Sequence, residues 1–133
     1  MVQRSILIVD DEPSVREVME ITLRRAGHQV FGVANGEKAS RRMREQSYDV
    51  VITDLLMPER DGLELIRELR QNYPGTRIIA VSGGGRVAGQ QYLQLAKGMG
   101  AHGLLAKPFL PGDLCEAVHR ICDSASPHET PQP

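Results

Sequence analysis

The 133-residue sequence predicts a doubly wound α/β fold, with helices on both faces of a five-stranded parallel sheet in the order 2-1-3-4-5. Short apolar runs alternate five times with segments of helical periodicity. The first run, residues 6–9, is apolar throughout, which is typical of a strand covered on both faces. Glycine, proline and acidic residues separate the segments, as expected for turns.

Five segments are predicted to be strands because they are short, apolar and mostly rich in β-branched residues. They lie at residues 6–9, 29–33, 49–53, 77–81 and 103–106. Right-handed crossovers between parallel strands bring their carboxyl ends to one edge of the sheet. Ligands bind at this edge, where the chain direction reverses between strands 1 and 3.

The five helices are recognised by apolar residues at helical spacing and by signals at their ends. These signals are a capping box formed by Ser14 and Glu17, Gly27 after the first helix, the Asn35-Gly36 pair, Pro74-Gly75 after the third helix, and Pro111 at the start of the last. The fourth helix, around residues 90–97, has the weakest pattern. We expect one folded domain over residues 1–122 and a polar, proline-rich, disordered tail over residues 123–133.

The composition is that of a globular protein, with 41% hydrophobic and 25% charged residues. Lys plus Arg (16) nearly balances Asp plus Glu (17), so the net charge offers no general attraction for nucleic acid or an anionic membrane. No apolar stretch approaches the ~18 residues of a membrane span. We therefore expect a cytoplasmic protein that binds neither nucleic acid nor membrane directly.

The only two cysteines, Cys115 and Cys122, lie seven residues apart in the last predicted helix. Their Cα atoms should be ~10 Å apart, whereas a disulfide needs less than ~7 Å, so reduced thiols are expected. Together with His119 they share one helix face and could in principle hold a metal. Ordinary packing is the favoured interpretation, because a helical triplet usually needs a further ligand from elsewhere.

Acidic side chains follow two of the predicted strands. Asp10 and Asp11 come directly after strand 1, and Asp54 comes directly after strand 3. At one edge of the sheet these carboxylates would repel one another unless a cation neutralised them. Oxygen-only ligands favour Mg²⁺. A solvated turn or helix cap is the alternative for the Asp-Asp pair alone.

Two further polar residues, Ser82 and Lys107, stand at the carboxyl ends of strands 4 and 5. Lys107 could pair with Asp54 and later with a phosphoryl group, and the Ser82 hydroxyl could donate to a phosphoryl oxygen. Each has an ordinary alternative, a turn serine or a surface lysine. Their joint placement with the acids on one rim indicates a functional site.

With these motifs the sequence resembles the receiver domain of two-component response regulators, which has a flavodoxin-like or CheY-like fold. The resemblance covers residues 5 to about 122 and rests on ILIVDDE at 6–12, VVITDLLMPERDG at 50–62, VSG at 81–83 and GAHGLLAKPF at 100–109. It implies that Asp54 is the phosphoacceptor. It also implies that Asp11, Asp54 and the Leu56 carbonyl bind Mg²⁺ directly, with Asp10 acting through water.

The resemblance further implies that Ser82 is the switch hydroxyl, that Lys107 contacts the phosphoryl group, and that the peptide before Pro108 is cis. The phosphoryl donor would be a sensor histidine kinase or a histidine phosphotransfer protein. The domain would be a switch rather than an enzyme, promoting only its own phosphotransfer and slow autodephosphorylation. We expect no output domain, and therefore output through protein contacts on the helix 4, strand 5 and helix 5 face, which includes Gln91, Lys97, His102 and Arg120.

Two departures from the family pattern carry hypotheses of their own. Leu104 stands where receivers generally carry Tyr or Phe, so residues 83–85, all glycine, are expected to carry more of the rearrangement. Leu56 and Gly84 occupy the positions that tune phosphoryl lifetime, and neither can orient a water molecule. We therefore predict slow self-hydrolysis of the phosphoryl group.

Three other classes of protein remain as alternatives. An aspartyl-phosphate hydrolase would need a second acid two residues after Asp54, where this chain has Leu56. A nucleotide-binding module is suggested by a loose GxGxxA at residues 83–88, and an FMN-binding module by the flavodoxin-like fold, but the acidic first turn would repel the phosphates of both ligands. An interaction domain that signals without phosphorylation has little support, because the acids and Lys107 are all present.

Overall fold

The computed structural model describes residues 3–55, 62–83 and 87–129, and in this part of the chain five strands alternate with five helices. The strands are β1 (Ser5–Val9), β2 (Gln29–Val33), β3 (Val50–Asp54), β4 (Arg77–Gly83) and β5 (Gly103–Lys107). The helices are α1 (Pro13–Arg25), α2 (Gly36–Glu45), α3 (Gly62–Asn72), α4 (Val87–Gly98) and α5 (Pro111–Glu129). No helix among the described residues is long and apolar enough to cross a membrane.

The strands form one parallel sheet in the order β2-β1-β3-β4-β5, which confirms the predicted fold class and strand order. Strands β1 and β3 are adjacent, and Val9 pairs with Thr53. The residues that follow this pair, Asp10 and Asp54, therefore lie side by side at the carboxyl edge. The fold itself brings together two residues that are 44 positions apart in sequence.

Side chains that alternate along the central strands enter two separate cores. On one face Ile6 and Ile8 of β1 pack with α1 and α5, and on the other Leu7 and Val9 pack with α2, α3 and α4. Residues 6–9 are all at most 1% exposed, which explains why their run is apolar without alternation. Burial on both faces holds the ends of β1 and β3 rigidly.

The predicted capping box of Ser14 and Glu17 is wrong. Helix α1 begins two residues earlier than that capping box implies, with Pro13 in the first turn and Glu12 as an N-cap that makes no side-chain cap hydrogen bond. Proline favours this position because its fixed φ suits a helix and its missing N–H would have no partner there. The start predicted for α2 is confirmed, since the Asn35 side chain accepts from the Lys38 N–H at 2.9 Å.

Helix α5 continues to Glu129, past the domain boundary predicted at residue 122. Once a helix is anchored by packing, each added residue gains a backbone hydrogen bond at little cost. The structure thus has helical backbone where the sequence predicted the first part of a disordered tail. Residues 130–133 lie outside the described residues, and for them the tail stays a prediction.

His28, which immediately precedes β2, ties this edge of the sheet to the start of β1. Its Nδ1 accepts the Arg4 backbone N–H at 3.0 Å. Burial, and secondarily the charge of Arg4, lower the pKa of His28 below its ordinary value of 6.5. Protonation of Nδ1 would break this hydrogen bond.

We predict that His28 makes the domain less stable in acid. Because its folded-state pKa is lowered, its contribution is fully present above pH 6.5 and is lost as the pH falls below 6.5 through the folded-state pKa. The loss should be about 1 kcal/mol, the usual net value of one hydrogen bond. Urea unfolding of the wild type and of His28→Gln at about pH 8 and about pH 5 measures it.

The wild type should lose more unfolding free energy on acidification than His28→Gln. His119→Gln is the matched control, because the His119 ring lies on the exposed side of α5 and pairs with Asp123 at 2.8 Å. On acidification, His119→Gln should lose at least as much unfolding free energy as the wild type does. Equal losses in the wild type and His28→Gln would contradict the prediction.

Candidate functional site

Three carboxylates converge at the carboxyl edge of β1 and β3. Asp10, Asp11 and Asp54 each offer an oxygen, and these oxygens all lie within 4.8 Å of one another. Asp10 is 1% exposed and Asp54 is 8% exposed, whereas Asp11 is exposed to solvent. Two of the three acids are thus buried next to each other, where like charges repel strongly.

Each polar atom of Asp10 has a partner. Its backbone N–H donates to the Val33 carbonyl at 3.2 Å, and its carbonyl accepts from Arg16 Nη1 at 2.7 Å. Its Oδ1 accepts the Glu12 N–H at 3.0 Å, and its Oδ2 accepts from Lys107 Nζ at 3.1 Å. Asp10 is therefore fixed in position through both its backbone and its side chain.

Lys107, the last residue of β5, supplies positive charge to the two buried acids. Its Nζ lies 3.1 Å from Asp10 Oδ2 and 3.6 Å from Asp54 Oδ2. Burial by itself lowers the pKa of Lys107, but the carboxylates of Asp54, Asp10 and Glu12 outweigh it and raise the pKa above its ordinary value of 10.5. Lys107 is therefore a cation at neutral pH. The Lys107-Pro108 peptide is cis, as the resemblance implied.

Ser82 lies near the end of β4, one residue beyond Val81, which pairs with Asp54. It is completely buried, and its Oγ has no hydrogen-bond partner among the described residues. Leaving a buried hydroxyl unsatisfied costs about 1–3 kcal/mol. This hydroxyl at the site edge is suited to gain a partner when a ligand binds.

Gly62 brings the start of α3 back against the phosphoacceptor position predicted at Asp54. Its N–H donates to the Leu55 carbonyl at 3.0 Å. A Cβ at position 62 would overlap the Asp54 carbonyl oxygen and press on the Leu55 Cα. The absence of a side chain at this position is therefore required for the close backbone approach that positions Asp54.

Some predicted features fall on residues that the structure does not describe. Leu56, the predicted carbonyl ligand, lies in the undescribed segment 56–61, and Gly84 and Gly85 lie in the undescribed segment 84–86. The described Leu104, which stands in the usual aromatic position, is partly buried against the core formed with α2, α3 and α4. An inward-facing leucine carries no polar group to the outer surface.

The alternative metal site on α5 is not formed. His28, Cys115, His119 and Cys122 line one cavity of about 450 Å³, and both thiols are free. Among the described residues, however, only the Asp10, Asp11 and Asp54 group brings three potential ligand atoms within 4.8 Å of one another. His28 is also unsuitable, because accepting at Nδ1 places the proton of the neutral ring on Nε2.

The donor set at the carboxyl edge fits a hard divalent cation. Carboxylate oxygens are the ligands that Mg²⁺ prefers, and Mg²⁺ usually takes one or two of them together with water and substrate oxygens. The clustered charge of Asp10, Asp11 and Asp54 provides the attraction. Sequence reasoning missed Arg16 and Gly62 at this site. A cation in the first turn of a helix that follows an acidic pair could have pointed to Arg16.

The strand order defines a doubly wound α/β protein. The acidic crevice beside Lys107 lies at its topological switch point, where ligands bind in such folds. Residues 6–119 match the model of the response regulator receiver domain family. The chain belongs to this family and is a receiver domain of a two-component response regulator. Receiver domains are phosphoacceptor switches rather than enzymes in the usual sense.

Three relatives illustrate the match. The chain is 33% identical to chemotaxis protein CheY of Thermotoga maritima, over 89% of this chain and 97% of that protein. It is 35% identical to response regulator GtcR of Aneurinibacillus migulanus, over 89% of this chain but only 46% of that longer protein. The structure of response regulator TrrA of Thermotoga maritima in complex with Mg²⁺ and BeF superposes with a TM-score of 0.77, at 30% identity, covering 91% of this chain and 99% of that one.

We predict that Lys107→Met binds Mg²⁺ more tightly than the wild type. Lys107 Nζ occupies the same carboxylates, Asp10 and Asp54, that would attract the ion. Without that cation the variant should be less stable in metal-free buffer and should gain more melting temperature from added Mg²⁺. A ligand at one hundred times its dissociation constant adds about 2.7 kcal/mol. Thermal melts with EDTA and with Mg²⁺ test this, and an equal gain in both proteins would contradict it.

Proposed function

We propose that Asp54 accepts a phosphoryl group from the phosphohistidine of a sensor histidine kinase or a histidine phosphotransfer protein, with Mg²⁺ bound at Asp10, Asp11, Asp54 and the Leu56 carbonyl. The observation that carries this proposal is the convergence of three carboxylates with Lys107 at the edge of β1 and β3. The Mg²⁺ and BeF complex of TrrA supports it, because that relative binds both at 30% identity.

In the proposed reaction an Asp54 carboxylate oxygen attacks the phosphorus atom in line with the bond to the donor histidine. A P–O bond forms as the P–N bond breaks, and the histidine nitrogen keeps the electron pair. Asp10, Asp11 and Asp54 would hold Mg²⁺, which would supply positive charge to the phosphoryl oxygens. The raised pKa of Lys107 keeps its ammonium group positively charged at the same point.

Phosphorylation would then act on the switch through Ser82. The acyl phosphate adds about 1.5 to 2 negative charges if it behaves as other phosphorylated side chains do. The buried Ser82 hydroxyl, which has no described partner, would gain one in a phosphoryl oxygen. Moving a two-state equilibrium from 1:99 to 99:1 needs about 5.5 kcal/mol of differential interaction, of which this hydrogen bond would supply a part.

The output surface in this proposal is the face of α4, β5 and α5. Gln91, Lys97, His102 and Arg120 are all exposed there. Because Leu104 cannot present an aromatic ring, the signal would reach this face through the backbone of residues 83–85, as the sequence predicts. The proposed target is a protein, and a cytoplasmic location is part of the same proposal.

The donor would dock beside Lys107. A phosphohistidine can reach Asp54 only if its carrier covers the surface around the site. A shallow groove of about 560 Å³ opens there, lined by Ser14, Val15, Val18, Met19, Lys107, Pro108 and Phe109. Val18 is 56% exposed, and an apolar patch rimmed by polar groups is a common feature of protein interfaces.

We predict that incubation with acetyl phosphate and Mg²⁺ adds one phosphoryl mass to the wild type and none to Asp54→Asn. Intact-mass measurement reads the result, and EDTA should abolish it. Phosphorylation of Asp54→Asn at the wild-type level would refute the assigned acceptor.

After removal of the donor the phosphoryl label should persist, because Leu56 and Gly84 cannot orient a water molecule. A half-life of seconds in the presence of Mg²⁺ would refute slow autodephosphorylation.

We also predict that Val18→Asp slows phosphoryl transfer from the protein donor but not from acetyl phosphate. Transfer from a histidine phosphotransfer domain that phosphorylates the wild type should slow about tenfold, or ~1.4 kcal/mol. Labelling by acetyl phosphate should be unchanged. Leu95→Asp on α4, where Leu95 is 55% exposed, is the matched control and should behave as the wild type. Equal transfer rates to Val18→Asp and the control would place the donor elsewhere.

A further inference from the structure

We infer that Arg16 of α1 is a positioning residue for the magnesium site, acting on the backbone between Asp10 and Asp11. This inference rests on the proposed function. Arg16 Nη1 donates to the Asp10 carbonyl at 2.7 Å, and the Arg16 side chain is 21% exposed. No other contact of Arg16 reaches the acids within the described residues.

The atom that Arg16 contacts determines the effect. The Asp10 carbonyl belongs to the peptide unit that joins Asp10 to Asp11, and a peptide unit is planar. Fixing its oxygen sets the direction in which the chain leaves β1 and therefore where both carboxylates point. The Asp11 side chain is exposed, and this backbone contact restrains the residue that carries it.

Arg16 is held by an ion pair on its own helix and has space for it against the neighbouring strand. Glu20, one helical turn further along, lies with Oε2 4.0 Å from Arg16 Nε. Strand β2 has Gly32 beside them, paired with Ile8 of β1. A Cβ at position 32 would overlap the Glu20 carboxylate and lie 3.0 Å from Arg16 Cδ. The missing side chain at Gly32 makes room for the ion pair against the sheet.

Charge and geometry predict opposite effects on Mg²⁺ binding. If Arg16 acted only as a nearby positive charge, it would repel the ion, and its removal would strengthen binding. If it positions the Asp10-Asp11 peptide, its removal must weaken binding. A partly exposed ion pair such as Arg16 with Glu20 contributes only about 0–1 kcal/mol to stability, so a role in folding alone would change Mg²⁺ affinity little.

Isothermal titration of MgCl₂ into the full chain tests the inference. Arg16→Met should weaken Mg²⁺ binding about tenfold, the low end of the effect of changing a residue behind a metal ligand. Arg16→Lys, which keeps the charge and a shorter donor group, should give a Mg²⁺ affinity between those of Arg16→Met and the wild type. Arg16→Met should need a higher Mg²⁺ concentration than the wild type to reach half of its maximal rate of labelling by acetyl phosphate. At saturating Mg²⁺ its labelling rate should approach that of the wild type.

Arg24→Met is the matched control. Arg24 also pairs with Glu20, at 3.7 Å, but its Nη2 donates to the Val30 carbonyl rather than to Asp10. It should bind Mg²⁺ as the wild type does. Gly32→Ala, which displaces Glu20 and crowds Arg16 Cδ but keeps the guanidinium, should weaken Mg²⁺ binding less than Arg16→Met but in the same direction.

The outcomes separate the two proposals. Unchanged or tighter Mg²⁺ binding by Arg16→Met, in a protein that melts as a single transition, would overturn the role of Arg16 while leaving the proposed function intact. A wild type that binds no Mg²⁺ and takes no phosphoryl group would overturn the proposed function itself. Weaker binding by Arg24→Met to the same degree would also overturn the role of Arg16.

Discussion

The repulsion between buried carboxylates is the constraint on which this site depends. Asp10 and Asp54 are nearly inaccessible to solvent, and both lie within 4 Å of Lys107 Nζ. Without a cation between them, two such carboxylates would repel each other strongly. The sheet forces them together because its core buries both faces of β1 and β3. The packing of β1 and β3 thus holds together two carboxylates whose mutual repulsion would otherwise separate them.

Much of this arrangement could be predicted from the sequence, because it follows from periodicity and topology. Once β1 and β3 are identified as parallel neighbours, Asp10 and Asp54 must meet at their carboxyl ends. The start of α1 was predicted wrongly, because Ser14 and Glu17 fit a capping box while Pro13 takes the first turn. Local patterns compete with one another, whereas the strand order has few alternatives.

Other features depend on distances that no local pattern encodes. Lys107 lies 97 residues from Asp10 in sequence, and only the packed structure gives the 3.1 Å between their charged atoms. The requirement for Gly62 arises from a backbone approach to Asp54, which a sequence shows only as one glycine among thirteen. Arg16 reads in the sequence as one more charged residue of an amphipathic helix. Its place in the first turn after an acidic pair could have indicated the site, but the sequence does not show that the Arg16 side chain contacts a backbone carbonyl.

The two cations of the site stabilise it in different ways. Lys107 contacts carboxylate oxygens, so it must share those oxygens with any metal ion or phosphoryl group that arrives. Arg16 donates to the backbone carbonyl oxygen of Asp10, so this hydrogen bond uses no carboxylate oxygen. In the proposed mechanism Lys107 changes partners on phosphorylation, while Arg16, by our inference, keeps the acidic loop in place. A switch needs both properties, because its geometry must persist while its charges are rearranged.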